Sequence, residues 1–208
     1  MKQLIILVLI LVSFLASGED TIRIRHANYT TLFSLTRHYP VVVDWWLTRA
    51  KLTCNKLDRI NNFAPDPSCP TETNLEQDYK GGGYDRGHMC DDSDNLCQGS
   101  MVQTECFYFA NITPQTPALN RGSWKMLEMD CRSMAIKEDS IHIWAGSVGS
   151  AGKVGRVTIP EKCWKVLYLK QKNIWKAYIF KNSKDDREND NPKVSLDEVE
   201  QLTGIVFN

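Results

Sequence analysis

The constraint that narrows the fold most is a set of β-branched and aromatic runs separated by polar segments. ANYTTLFSLTRHYPVVVDWWLT (27–48), IHIWAGSVG (141–149), VGRVTIPEKCWKVLYLK (154–170) and WKAYIFKN (175–182) read as strands. The first breaks into two strands at Tyr39-Pro40. CFYFANI (106–112) reads as a further short strand. Against these stands PALNRGSWKMLEMDCRSMAI (117–136), where Trp124, Leu127, Cys131 and Met134 recur at three- and four-residue steps and predict a helix. In the tail, Ser195 and Glu198 have capping-box spacing ahead of a short helix that closes at Gly204. Strands with helices inserted between them imply an α+β domain on a mixed or antiparallel sheet. No internal repeat or low-complexity linker divides the chain.

The first eighteen residues, MKQLIILVLILVSFLASG, carry a basic Lys2, an apolar run from Leu4 to Leu15, and small residues Ala16 and Gly18. That is the pattern of a secretory signal peptide, and the run is short for a membrane span. The expected layout is a leader at 1–18 and one domain at 19–208, secreted or periplasmic, with no stable membrane association once the leader is removed. Lys2 is the only charged residue of the leader, so 19–208 carries 24 basic and 25 acidic side chains. Net charge therefore gives no support for polyanion binding, and such a site would need a local basic patch. Seven cysteines in an exported chain predict disulfides, and the odd number leaves at least one without an intramolecular partner. Cys90, Cys97 and Cys106 bracket the segment between His88 and Asn111, which suggests disulfides that hold its loops. No CxxC spacing points to zinc.

Residues 61–83 are rich in Pro, Asn, Asp and Gly and form a long loop that runs into GGGYDRGHMC (81–90). One of only four histidines, His88, lies here between a glycine run, an acid, a base and a cysteine. Further on, FANITPQTPALNRGSWKMLE (109–128) supplies Asn111, Asn120 and Glu128 at N-x8-N-x7-E spacing. His26, His38 and His142 have no such partners and read as structural.

These residue types suit phosphodiester hydrolysis. A histidine titrates near neutrality and can take a proton from water. A hard cation such as Mg²⁺ prefers oxygen ligands and keeps most of its waters, so one asparagine carbonyl can suffice. Asn120, Trp124 and Glu128 sit at i, i+4 and i+8, broadly on one helical face, and eight residues span about 12 Å, too far for both ends to touch one ion directly. Asn120 is thus the expected metal ligand, with Glu128 acting through water. Arg86 offers a fork for a phosphate.

DRGH followed by NITPQ, a second Asn and W-x-x-LE resembles the DNA/RNA non-specific endonuclease family, which is built around a ββα-metal finger. DYKGGGYDRGHM, AGSVG before VTIPEKCWKVLY, and VSLDEVEQLTGIVF extend the likeness over most of 28–207. The resemblance implies that His88 is the general base, Asn120 the Mg²⁺ ligand (with Mn²⁺ as a substitute) and Glu128 the water-organising acid. It implies that Arg86 and Asn111 support the phosphate and the base, and that Asp85 holds the loop. Where relatives often place a basic residue after the loop phenylalanine, this chain has Ala64, with Arg59 or Lys80 as replacements.

The implied activity is cleavage of DNA and RNA, single- or double-stranded, leaving 5′-phosphate and 3′-hydroxyl ends. A homodimer and an inhibitor or immunity protein are further candidate partners. Two rival readings are a nuclease toxin used against competitors and a non-catalytic extracellular nucleic-acid-binding module. NYT (28–30) and NIT (111–113) are glycosylation sequons, and Asn111 is expected to stay unmodified inside the site.

Overall fold

The computed structural model describes residues 20–54, 57–69, 74 and 76–208, together with the backbone of Ser13–Phe14. The expected leader otherwise lies outside the described residues. Among the described residues no helix is long and apolar enough to cross a membrane.

Seven strands make one antiparallel sheet. They are β2 (Thr21–Arg25), β3 (Thr30–Ser34), β4 (Pro40–Thr48), β7 (Ser140–Val148), β10 (Lys162–Leu169), β11 (Ile174–Lys181) and β12 (Lys193–Val194). Their order across the sheet is β12-β11-β10-β7-β4-β3-β2. Around the sheet lie β1 (Ser13–Phe14) paired with β13 (Ile205–Val206), the hairpin β5 (Asp85–His88) with β6 (Ile112–Gln115), and the hairpin β8 (Lys153–Val154) with β9 (Val157–Thr158). The helices are α1 (Arg49–Leu52), α2 (Ser100–Cys106), α3 (Pro117–Arg121), α4 (Ser123–Glu138) and α5 (Leu196–Thr203). The α+β class expected from the sequence is what forms.

Strand alternation sorts the core onto two faces. Val43, Trp45 and Leu47 of β4, Ile143 and Ala145 of β7, and Cys163 and Leu167 of β10 pack against Trp124, Leu127, Cys131 and Ala135 of α4. The intervening Val42, Trp144, Trp164 and Val166 face the other way, against Val199, Ile205 and Phe207 at the C-terminal end of the chain. The capping box of α5 forms as its spacing predicts: Ser195 Oγ accepts from Glu198 N, the Glu198 carboxylate accepts from Ser195 N, and Gly204 closes the helix in the left-handed region.

Three sequence expectations need correction. CFYFANI is not a strand: Cys106 ends α2, Phe109–Asn111 is a 3-10 turn, and β6 begins at Ile112. The run is apolar because Phe107, Phe109 and Ala110 are fully buried, and burial alone does not separate strand from helix. The helix expected over 117–136 is two helices meeting at Gly122, whose backbone (φ −100, ψ −117) interrupts the helical turn. Any side chain there would meet the Asp186 carboxylate at 2.2 Å and the Ala118 carbonyl at 2.4 Å. Asp186 instead accepts hydrogen bonds from Ser123 N and Oγ and caps α4.

The third correction concerns the cysteines. Cys97 pairs with Cys54 across a sequence separation of 43 residues, whereas Cys90 and Cys106 are buried thiols, Cys90 Sγ accepting from Asn95 Nδ2 and Cys106 Sγ donating to the Val102 carbonyl. The Cys54–Cys97 link ties the end of α1 to the loop ahead of α2. Cys54→Ser should lower unfolding free energy by about 2–4 kcal/mol, the range for a loop of this size. Urea unfolding of the variant and of the intact protein, both without reductant, measures the difference.

Candidate functional site

The hairpin β5–β6 and the helix pair α3–α4 form a ββα unit that lies on one face of the large sheet. Asp85 pairs with Gln115, Arg86 with Pro114, Gly87 with Thr113 and His88 with Ile112. Gly87 permits the close approach, since a Cβ there would lie 2.1 Å from Gln115 Oε1. The end of β5 is then held from two sides. Trp124 Nε1, from α4, donates to the His88 carbonyl at 3.2 Å. Asn111 accepts from Cys90 N through Oδ1 (2.9 Å) and donates through Nδ2 to the carbonyls of Cys90 (2.9 Å) and Cys106 (2.8 Å). Asn111 is completely buried, so its amide has no face left for a phosphate or a glycan. Of the two tasks implied for it by resemblance, the geometry suits only support of the base, through the backbone.

His88 is 7% exposed, and its Nε2 is buried with no hydrogen-bond partner among the described residues. The ring packs against Phe107 edge-on (5.1 Å) and Phe63 (5.4 Å). Burial in this aromatic pocket pushes its pKa down to about 4; Asp91 opposes the shift, and Arg59 and Arg86 add to it. At neutral pH the imidazole is therefore uncharged and can accept a proton.

Beside it opens a cleft of about 360 Å³ lined by Arg59, Phe63, Arg86, Asn120 and Arg121 among others. The loop carrying Phe63 is seated by hydrogen bonds between Ala64 and both Phe107 and Phe109. The Arg86 guanidinium lies 4.1 Å over the Phe63 ring and pairs with Glu76 at 2.9 Å. Phe63 thus contacts both Arg86 and His88. Arg59 pairs with Asp92 and Arg121 with Asp85, so each of the three guanidinium groups is held by an acid. Arginine donors are thus gathered in one cleft of an almost neutral chain, each balanced by a carboxylate. Arg59 occupies the cleft and Lys80 does not line it.

Asp85 binds the α3 side of the cleft. Burial raises its pKa, but hydrogen bonds from Arg121 and Asn120 outweigh that and hold the carboxyl below its ordinary value. Asn120, itself partly buried, donates from Nδ2 to Asp85 Oδ2 at 3.0 Å, and among the described residues its carbonyl Oδ1 accepts no hydrogen bond. A hard cation fits that oxygen. Among the described residues no three His, Cys, Asp or Glu side chains converge as a metal cluster.

Glu128 lies one helix away from Asn120, on α4, among acids that the sequence reading passed over. Asp91 and Asp94 follow β5, and Arg132 NH1 reaches both, at 2.5 and 3.3 Å. Burial and then Asp91 raise the pKa of Glu128 well above its ordinary value, while Lys165 and Arg132 oppose the rise. The same two causes push Asp92 up to about 7 and Asp94 up to about 6. Asp91 moves the other way, because Arg132 and His88 together outweigh its burial. Phe63, Trp124 and Asp91 are contributors that motif spacing does not single out.

The chain belongs to the DNA/RNA non-specific endonuclease family, whose model matches residues 8–208. A nuclease of Nostoc sp. is 34% identical over 181 residues, covering 79% of this chain and 65% of the relative. The mitochondrial nuclease EXOG of Xenopus laevis is 28% identical, covering 88% of this chain and 57% of that protein. This chain thus spans between about half and two thirds of the length of these two relatives. The crystal structure of the EndoG/EndoGI complex matches the fold with a TM-score of 0.78 at 24% identity, over 89% of this chain and 84% of that one.

The buried imidazole has a stability signature. Its pKa is lower folded (about 4) than unfolded, so between these values the unfolded chain binds more protons. Its contribution should be fully present above about pH 6.5 and be lost as pH falls toward 4. Melting temperature against pH in chelator, for the protein and for His88→Phe, checks this: the variant should show a shallower decline over that window.

Proposed function

We propose that this chain is a Mg²⁺-dependent, sugar-non-specific nuclease that cuts DNA and RNA internally to leave 5′-phosphate and 3′-hydroxyl ends. The observation that carries the reading is the placement of an uncharged, buried imidazole beside a cleft that presents three anchored arginines and a free asparagine carbonyl. Family membership and nuclease-named relatives support it. In this reading Arg86, Arg59 and Arg121 hold the phosphate chain. His88 takes a proton from the water that attacks phosphorus, and its imidazolium gains from the nearby Asp91 carboxylate. Asn111 and Trp124 keep the backbone of His88 fixed during that transfer. Asn120 would hold the divalent cation, which supplies neutralisation of the charge developing on the phosphate oxygens. Glu128 orients water from the neighbouring helix. Contacts that fall on phosphate and sugar carry no sequence information, which explains a non-specific substrate range.

Export fits the Cys54–Cys97 disulfide, because such bonds persist in oxidising compartments. An inhibitor protein is a natural partner for a nuclease, and the matching EndoG structure is described as one of EndoG inhibition.

Supercoiled plasmid and a single-stranded RNA, each incubated with the protein in Mg²⁺ and in chelator, test the reading. Cleavage of both in Mg²⁺ only, with ligatable 5′-phosphate ends, is expected. Intact substrates in Mg²⁺ would overturn it. Three arginines on phosphates also predict salt-weakened binding: for duplex DNA and His88→Ala, log affinity should fall with log salt at a slope of about −2.7 or steeper. A flat titration would contradict phosphate binding by these arginines.

A further inference from the structure

Two phenylalanines wall the ring of His88, and each of them carries an arginine. The centroid of Phe63 lies 5.4 Å from that of the imidazole and Phe107 lies at 5.1 Å, edge-on. The two phenyl rings meet each other edge to face at 5.1 Å. The Arg86 guanidinium sits 4.1 Å over Phe63, and that of Arg59 sits 5.2 Å over Phe107. Phe107 is fully buried and belongs to the core. Phe63 is half-buried, and it is the one wholly apolar side chain among the residues that line the cleft.

The loop of Phe63 does not depend on that ring alone for its seat. Ala64 N donates to the Phe107 carbonyl at 3.2 Å, and Phe109 N donates to the Ala64 carbonyl at 3.0 Å. Two residues on, the buried Asp66 carboxylate pairs with His26 at 2.8 Å and accepts from Ser68 N. A fixed loop therefore presents one ring to two groups at once. An apolar wall beside an imidazole removes the water that would solvate its charged form. An aromatic face attracts a cation through the ring quadrupole, and Glu76 holds the same guanidinium through NH1. An aliphatic side chain could do the first task and not the second, so substitution separates them.

We propose that Phe63 is a positioning residue, the single ring that shuts water away from the His88 imidazole and sets the direction of the Arg86 guanidinium. The proposal rests on the reading of His88 as the base and Arg86 as a phosphate contact. It explains why an apolar ring is kept in a cleft that otherwise presents polar groups. The charged groups that face His88 are Asp91 from the loop after β5, and Arg59 and Arg86 beside the cleft. Substitution of Phe63 leaves all three in the chain.

The test compares the protein with Phe63→Leu, Phe63→Ala and Phe63→Tyr. In chelator, the imidazole resonances of His88 are followed against pH. The midpoint of about 4 in the unmodified protein should rise by about one unit or more in Phe63→Ala, toward the ordinary 6.5. In Phe63→Leu, which keeps an apolar wall, it should stay within about half a unit. In Mg²⁺, the acid limb of the kcat/KM profile on an oligonucleotide should follow the same order. Affinity for duplex DNA in chelator should fall about two- to five-fold in both Phe63→Leu and Phe63→Ala, and Phe63→Tyr should restore it. Phe63→Leu combined with Arg86→Met should bind no more weakly than Arg86→Met alone.

A His88 midpoint unmoved in Phe63→Ala, one moved as far in Phe63→Leu, additive losses in the double variant, or Phe63→Tyr as weak as Phe63→Leu would overturn the proposal. If Phe63→Ala does not fold, Phe63→Val, a smaller truncation, should move the midpoint in the same direction by less. An unmodified protein that cuts neither DNA nor RNA would refute the functional reading, and the imidazole titration and the binding comparison would still decide the role of Phe63.

Discussion

One buried amide fixes the site. Asn111 joins the last residue of a 3-10 turn to the chain just beyond His88, and its side chain hydrogen-bonds only to backbone groups of Cys90 and Cys106. The backbone adds a fourth bond, from Met89 N to the Asn111 carbonyl. A fully buried amide that lost these partners would leave polar groups of both segments unpaired, each at a cost of about 1–3 kcal/mol. Everything that approaches the cleft is measured from this joint: β5 with Asp85 and Arg86, the acids of the following loop, and the α2 turn that presents Phe107 to the imidazole.

The electrostatics follow from how the joint is packed. Aromatic walls on His88 remove its water, so the ring stays neutral beside the cleft, and Arg59 and Arg86 add to that effect. Each arginine in turn has an acid that fixes its direction, and each acid lies in or beside the ββα unit or the loop ahead of it. Exposed ion pairs of this kind add little to stability. Their effect is geometric, because a guanidinium already aimed into the cleft loses less freedom when it binds an anion. Asp85 serves two sides at once, orienting both Arg121 and the amide of Asn120.

Much of this was legible in the sequence, and what was missed shares one cause. Strand alternation in VVVDWWL and KVLYL and the Ser195 capping box are local patterns, and each found its place in the fold. The interruption at Gly122 was hidden because Trp124, Leu127 and Cys131, which carry the helical period, all lie beyond it, and 117–121 was joined to them without a period of its own. CFYFANI misled because complete burial removes the polar half of any period. Phe63 and Trp124 act through partners about 20 to 40 residues away in sequence, and no local spacing encodes such contacts. The cysteines show the same limit: Cys97 was placed among the bridging candidates, and its partner Cys54 lay outside them.

The division of labour between an imidazole that takes the proton and an amide carbonyl that holds the cation is tested most directly by activity against Mg²⁺ concentration for His88→Ala and Asn120→Ala. His88→Ala should cut the rate by about 10²–10⁴ with its Mg²⁺ dependence unchanged, and added imidazole should restore part of the loss. Asn120→Ala should need much higher Mg²⁺ and gain nothing from imidazole. A displaced Mg²⁺ dependence in His88→Ala, with an unchanged one in Asn120→Ala, would reverse the two roles.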